Sequence, residues 1–155
     1  MAVTLRKAVR EDMETIWRMQ TEAFSELLDK YQDFDTSPAA ESLETIMGKF
    51  EQPWTAYYFI VQGDRIVGAV RVVNKNDGSR KRISPLWIMN EFRNKGYAQQ
   101  AMIELEKIYG SDHWCLDTIL QEKGNLYLYE KMGYVPTGRI EHINERMDIV
   151  FYEKD

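Results

Sequence analysis

The sequence predicts a single α/β (α+β) domain, a mixed central sheet flanked by helices, in the order β-α-α-β-β-β-α-β-α-β-β. Three observations carry this reading. The chain has 155 residues, 44% hydrophobic and 29% charged, a mixture ordinary for one globular domain with a real core. Segments of helical period alternate along it with segments rich in β-branched and aromatic residues. No internal repeat, low-complexity tract or linker divides residues 1–155.

Thr4 to Val9 reads as a first strand, and Asp12 as a cap or first-turn acid for a long helix. In that helix Met13, Ile16, Trp17, Ala23, Phe24, Leu27, Leu28 and Tyr31 keep a 3.6-residue period. The polar stretch Gln32 to Pro38 breaks it. Ala39 to Phe50 is a shorter helix, closed by Pro53. A hairpin follows: Tyr57 to Gln62, a turn at Gly63-Asp64-Arg65, then Ile66 to Val73. Asn76-Asp77-Gly78-Ser79 is a second turn, leading to an apolar strand ending in Leu86-Trp87-Ile88-Met89. A helix starts near Gly96, with Ala98, Ala101, Met102, Leu105, Ile108 and Tyr109 on one face and Gly110 as its stop. His113 to Leu120 is a strand and Leu126 to Met132 a short helix ended by Gly133. Tyr134 to Glu141 and Met147 to Tyr152 complete the sheet, with Asn144-Glu145 between them.

Composition excludes several function classes. No apolar run approaches the roughly 18 residues of a membrane span, and the first residues lack an apolar signal core. The single cysteine, Cys115, leaves no internal disulfide framework and suits a reducing cytoplasm. Two histidines and one cysteine, scattered, offer no metal-ligand spacing. A net charge of −5 argues against bulk nucleic-acid binding and mildly favours a cationic partner.

The most informative stretch is Arg93-Asn94-Lys95-Gly96-Tyr97-Ala98, between strand and helix. It points unpaired backbone N–H groups, at the positive end of a helix dipole, into one small volume, which makes an anion site. Gly96 permits close backbone approach, Ala98 leaves room, and Arg93 and Lys95 add charge. A diphosphate fits this chemistry.

The pattern Arg-x-x-Gly-x-Ala resembles the acyl-CoA signature of the GNAT superfamily of N-acetyltransferases. The segment Leu128-Tyr129-Glu130-Lys131-Met132-Gly133-Tyr134 is similar to a second motif of those enzymes, in the right order and context. With the element order, the resemblance covers nearly the whole chain. It implies a GNAT-like fold and transfer of an acetyl group from acetyl-CoA to a primary amine, by direct attack in a ternary complex. It places the diphosphate on Arg93, Asn94, Lys95, Gly96, Tyr97 and Ala98. The pantetheine arm lies along Ile88, Met89 and Asn90, in a splay between that strand and the next. It assigns Tyr129 as general acid: a phenol, with a pKa of about 10, is protonated at neutrality and can supply the departing thiolate.

The base that relieves an alkylammonium of its proton (pKa about 10.4) is not named by the motifs. Glu22 and Glu26, one turn apart on the first helix, are candidates, as is Glu91, each weighed against a plain solvated carboxylate. Where the family often has Asn, this chain has Glu122; Asn125 lies three residues on and is the alternative cofactor contact, against a helix-start role. Cys115 reads as core rather than nucleophile. The acids and aromatics from Glu22 to Asp35 would suit a cationic acceptor: a small amine, a polyamine, an exposed lysine or a peptide N-terminus. His142 is placed at the groove edge or in a structural role. The competing expectations are an idle acyl-CoA-binding domain, acting as sensor or partner module, and a purely structural domain. Homodimerisation is expected only by analogy.

Overall fold

The computed structural model of the protein describes residues 2–155. Strand β1 (Thr4–Lys7) leads through a 3-10 turn into α1 (Met13–Tyr31), and a second 3-10 turn (Pro38–Ala40) precedes α2 (Leu43–Glu51). The meander β2 (Thr55–Gln62), β3 (Arg65–Val73) and β4 (Lys81–Ile88) follows. Then come α3 (Tyr97–Tyr109), β5 (Trp114–Ile119), α4 (Lys123–Lys131), β6 (Val135–Asn144) and β7 (Met147–Lys154). Every expected element forms, in the expected order. Boundaries move where local chemistry decides them. Helix α2 starts after Ser42, whose hydroxyl accepts from Thr45 N–H at 3.1 Å. Asp12 reaches back instead of forward, its carboxylate accepting from Val9 N–H at 2.9 Å.

One seven-stranded sheet has the order β1-β2-β3-β4-β5-β7-β6. Period-two alternation along its strands feeds two cores. Tyr57, Phe59, Ala69, Trp87 and Met89 pack beneath α1 and α2 with Ile16, Ala23 and Ile46. Tyr58, Ile60, Val70, Val72, Trp114 and Leu116 pack against α3 through Ala101, Met102 and Leu105. The layers are thus helix, sheet, helix, but α1 and α2 cover only the β1–β4 half of their face.

The pair β4–β5 is parallel and brief. Its register comprises Lys81↔Trp114 and Arg82↔Cys115, and beyond Arg82 the strands diverge. Strand β4 stays paired with β3 through Gly68↔Ile88, with a register shift between Val70 and Val72 facing Ser84-Pro85. Arg71, buried on β3, donates from Nε to Ser84 O at 2.5 Å and fixes that bulge. The approach at Gly68 is close: a Cβ there would lie 2.1 Å from Trp87 O, so only glycine fits. The sheet therefore opens as a V, its apex at Arg82 and its mouth toward the end of β4.

Candidate functional site

At the mouth of the V the chain turns from β4 into α3. Asn94 (φ 64°) and Gly96 (φ 80°) adopt left-handed conformations, and Gly96 serves as the N-cap without a side-chain cap. The first helical bond is Gln100 N–H to Gly96 O at 3.1 Å. Among the described residues, no protein acceptor takes the N–H groups of residues 94–99. A donor-rich turn at a helix N-terminus has the chemistry that favours an anion. Tyr97 turns its side chain into the α3 core, and Ala98 packs against it, so both offer the site their backbone. Lys95 is exposed at the rim.

Arg93 departs from expectation. Its Nε donates to Ile88 O and its Nη2 to Ala23 O, each at 2.9 Å, so the guanidinium ties the turn to β4 and α1. Its charge is directed inward, onto the carbonyl that ends β4 and one in the middle of α1. Met89 N–H is likewise engaged, donating to Val67 O at 2.8 Å. Strand alternation then turns the backbone groups of Leu86 and Ile88 away from β3, toward the gap. Ile88 and Met89 are buried, whereas Asn90 opens an exposed 3-10 turn.

A cavity of about 520 Å³ threads the V. On the α4 side it meets Asn125 and Tyr129, and on the α1 side Phe24, Leu27 and Tyr31; Ser84, Leu86 and Asp117 lie between. Burial, aided by the nearby Asp117 carboxylate, pushes the Tyr129 phenol up to about 12. Asn125 Nδ2 donates to Thr118 Oγ1 at 3.3 Å, so its amide is turned toward β5 while its side chain lines the cavity. Glu122 faces another partner: it accepts from Tyr31 Oη at 2.5 Å and from Lys30 Nζ at 3.0 Å. Asn144 Nδ2 also bonds Tyr31 O at 2.9 Å, so the end of α1 is clasped by the β5–α4 loop and the β6–β7 turn.

Glu22 and Glu26 are exposed and do not line the cavity. The general-base expectation for them therefore has no support from the cavity. The cavity face of α1 is set by Phe24, Leu27 and Tyr31, and residues 22 and 26 point about 100° or more away from it. His142 also lies elsewhere. Arg139, Glu141 and Ile143 of β6 line the cavity, and alternation sends His142 to the opposite face, paired with Asp148 at 2.8 Å. Cys115 is half-buried, and burial pushes its thiol up, away from the thiolate a nucleophile requires. Asp117 escaped notice in the sequence because Trp-Cys-Leu-Asp-Thr-Ile reads as one polar residue on a strand's solvent side. A lone acid in an apolar strand was its only signal.

No curated protein matches the sequence. Solved structures match its fold. Spermidine N-acetyltransferase from Vibrio cholerae, in complex with CoA and spermine, aligns with a TM-score of 0.74 at 19% identity, covering 97% of this chain and 94% of that one. An acetyl transferase from Salmonella typhimurium that modifies the N-terminal serine of ribosomal protein L7/L12 aligns at 0.74 and 14% identity, covering 98% and 94%. The ribosomal-protein-S18-alanine N-acetyltransferase from Escherichia coli gives 0.73 and 11%, covering 97% and 91%. At these identities the likeness is one of fold, but the model of the acetyltransferase (GNAT) family matches residues 13–134, most of the chain. A match over that much of its length shows that the chain belongs to the acetyltransferase (GNAT) family, whose enzymes take acetyl-CoA as their donor.

Proposed function

We propose that this protein transfers an acetyl group to a primary amine by direct attack, donor and acceptor being bound together, with Tyr129 as general acid. The observation that carries the reading is the cavity through the β4–β5 gap. It connects the α4 face, where Tyr129 stands, to the open α1 face, so two ligands can meet inside the sheet from opposite sides.

The residues present fit acetyl-CoA, which when bound supplies an activated acyl thioester. The N–H groups of residues 94–99 would hold a diphosphate, with Lys95 at the rim. The backbone edge of Leu86 and Ile88 would pair with the amides of the pantetheine arm as a strand would. Tyr129 stays protonated at any working pH, since about 12 lies far above neutrality. Its hydroxyl can therefore stabilise a sulfur that gains charge, in a site where burial strengthens the hydrogen bond. Glu122, where the family often carries Asn, is engaged by Tyr31 and Lys30 and shapes the acceptor wall. The acceptor is an amine reached from the α1 side; Phe24, Leu27, Tyr31 and the 33–38 loop form its approach.

The test is turnover of acetyl-CoA against a panel of small amines, polyamines and peptides, wild type beside Tyr129→Phe. Acetylation that falls about 100-fold or more in kcat in the variant supports the assignment. Undiminished turnover in the variant removes Tyr129 from the reaction. Tight acetyl-CoA binding with no acetylation of any amine supports the idle, sensing domain instead.

A further inference from the structure

The base that the motifs leave unnamed can be sought in the cavity itself. Three carboxylates line it: Asp33, Asp117 and Glu141. Asp33 is buried and turned into its own loop, accepting from Thr36 N–H at 3.1 Å and from the Thr36 hydroxyl. Glu141 lies on the outer wall, exposed, loosely paired with Arg139 at 3.4 Å. Asp117 differs from both. It stands on β5 two residues past Cys115, the last rung of the β4–β5 ladder, and so at the apex of the V. Arg82 reaches across from β4 to its Oδ2 at 2.6 Å, while Oδ1 accepts no hydrogen bond from the described residues. A ligand anchored at the 94–98 turn and directed along β4 runs from the mouth toward this apex, about 20 Å away at the rise of a strand.

We propose that Asp117 Oδ1 is the seat of the acceptor's ammonium group and the first station of the proton that leaves it. This rests on the acetyl-transfer reading above. Arg82 engages Oδ2 and leaves Oδ1 without a partner among the described residues, on a side chain that lines the same cavity as Tyr129. Asp117 and Tyr129 thus stand on β5 and α4, the two elements that bound the cavity beyond the β4–β5 ladder. The step balances. The ammonium gives one proton, through Asp117, to the water at the open α1 side. The freed nitrogen lone pair forms the N–C bond, the C–S bond breaks with its pair on sulfur, and the nitrogen's second proton balances the thiolate, with Tyr129 as the local donor. Amide, thiol and one released proton result.

The first contribution of the carboxylate is to hold the nitrogen in place, and its second is to pass a proton to water. The experiment labels the aspartate and glutamate side-chain carboxyls with carbon-13 and titrates the CoA-loaded protein with n-butylammonium. The Asp117 carboxyl signal, assigned through Asp117→Asn, should move saturably. Movement confined to Asp33, Glu141, Glu22 or Glu26, or no movement at all, overturns the proposal. With any amine the wild type accepts, the variant should lose about 100-fold in kcat/KM while its Kd for acetyl-CoA is unchanged. If CoA itself fails to raise the melting temperature, the acetyl-transfer reading falls and this proposal with it. If CoA binds and Asp117 stays silent, only this proposal falls.

Discussion

Tyr129 shows how environment sets one phenol apart from its neighbours. In sequence it is one of nine tyrosines, and nothing in its spacing separates it from Tyr127 or Tyr134. In the structure Tyr127 is 70% exposed and Tyr134 is 3% exposed in the core, while Tyr129 alone of the three lines the cavity. Glu122 was legible as a departure from a motif, but its partner was not, since Tyr31 lies 91 residues away in the chain. That contact makes a prediction. Burial pushes the Glu122 carboxyl up, but hydrogen bonds from Tyr31 and Lys30 outweigh it and hold it below its ordinary 4.5. A group whose pKa is depressed by folding contributes stability above its unfolded value and loses it as pH falls through the folded one. Melting temperature should therefore decline below about pH 4.5, and Glu122→Gln should be less stable near neutrality with a flatter acid limb, as calorimetry across pH would show. An unchanged acid limb in the variant would mean that the clasp contributes nothing.

Elements were the most readable level. Helical period, β-branched runs and turn residues are local properties, so α1 to α4 and all seven strands could be placed within a few residues. Pairing between strands is not local. The divergence of β4 from β5 depends on where hydrogen bonding stops between segments separated by a whole helix, and no residue of Ile83 to Ile88 announces it. What positions β4 can be tested directly. Gly68 meets Trp87 O so closely that Gly68→Ala must push β3 and β4 apart or tilt them, at a cost of about 2 kcal/mol by analogy with overpacked cores. Because β4 carries Leu86 and Ile88, the same variant should weaken acetyl-CoA binding even where it remains folded. Urea unfolding and ligand titration of one sample would measure both, and an alanine tolerated without loss in either would show that the strands have slack here.

At the scale of the molecule, one sheet is asked to do two things. Its β1–β4 half, covered on both faces, is a conventional core. Its β5–β7–β6 half is covered by α4 on one side and left open on the other, and the cavity runs where the two halves part. On the proposed reading, this arrangement would separate the donor's entrance from the acceptor's, as direct transfer requires. All of it rests on the turn at the mouth of the V holding the donor. The most direct measurement is the melting temperature with and without acetyl-CoA, for the wild type and for Gly96→Asp. A Cβ at Gly96 meets nothing closer than Gln100 Nε2 at 3.9 Å, and aspartate tolerates a left-handed conformation at a cost of about 1 kcal/mol, so the variant should fold. Its carboxylate would repel a diphosphate. At a hundredfold excess of ligand over Kd the wild type should gain about 2.7 kcal/mol, several degrees in Tm, and the folded variant should gain almost nothing. A wild type that acetyl-CoA does not stabilise, or a variant stabilised as much as the wild type, would contradict the account at its foundation.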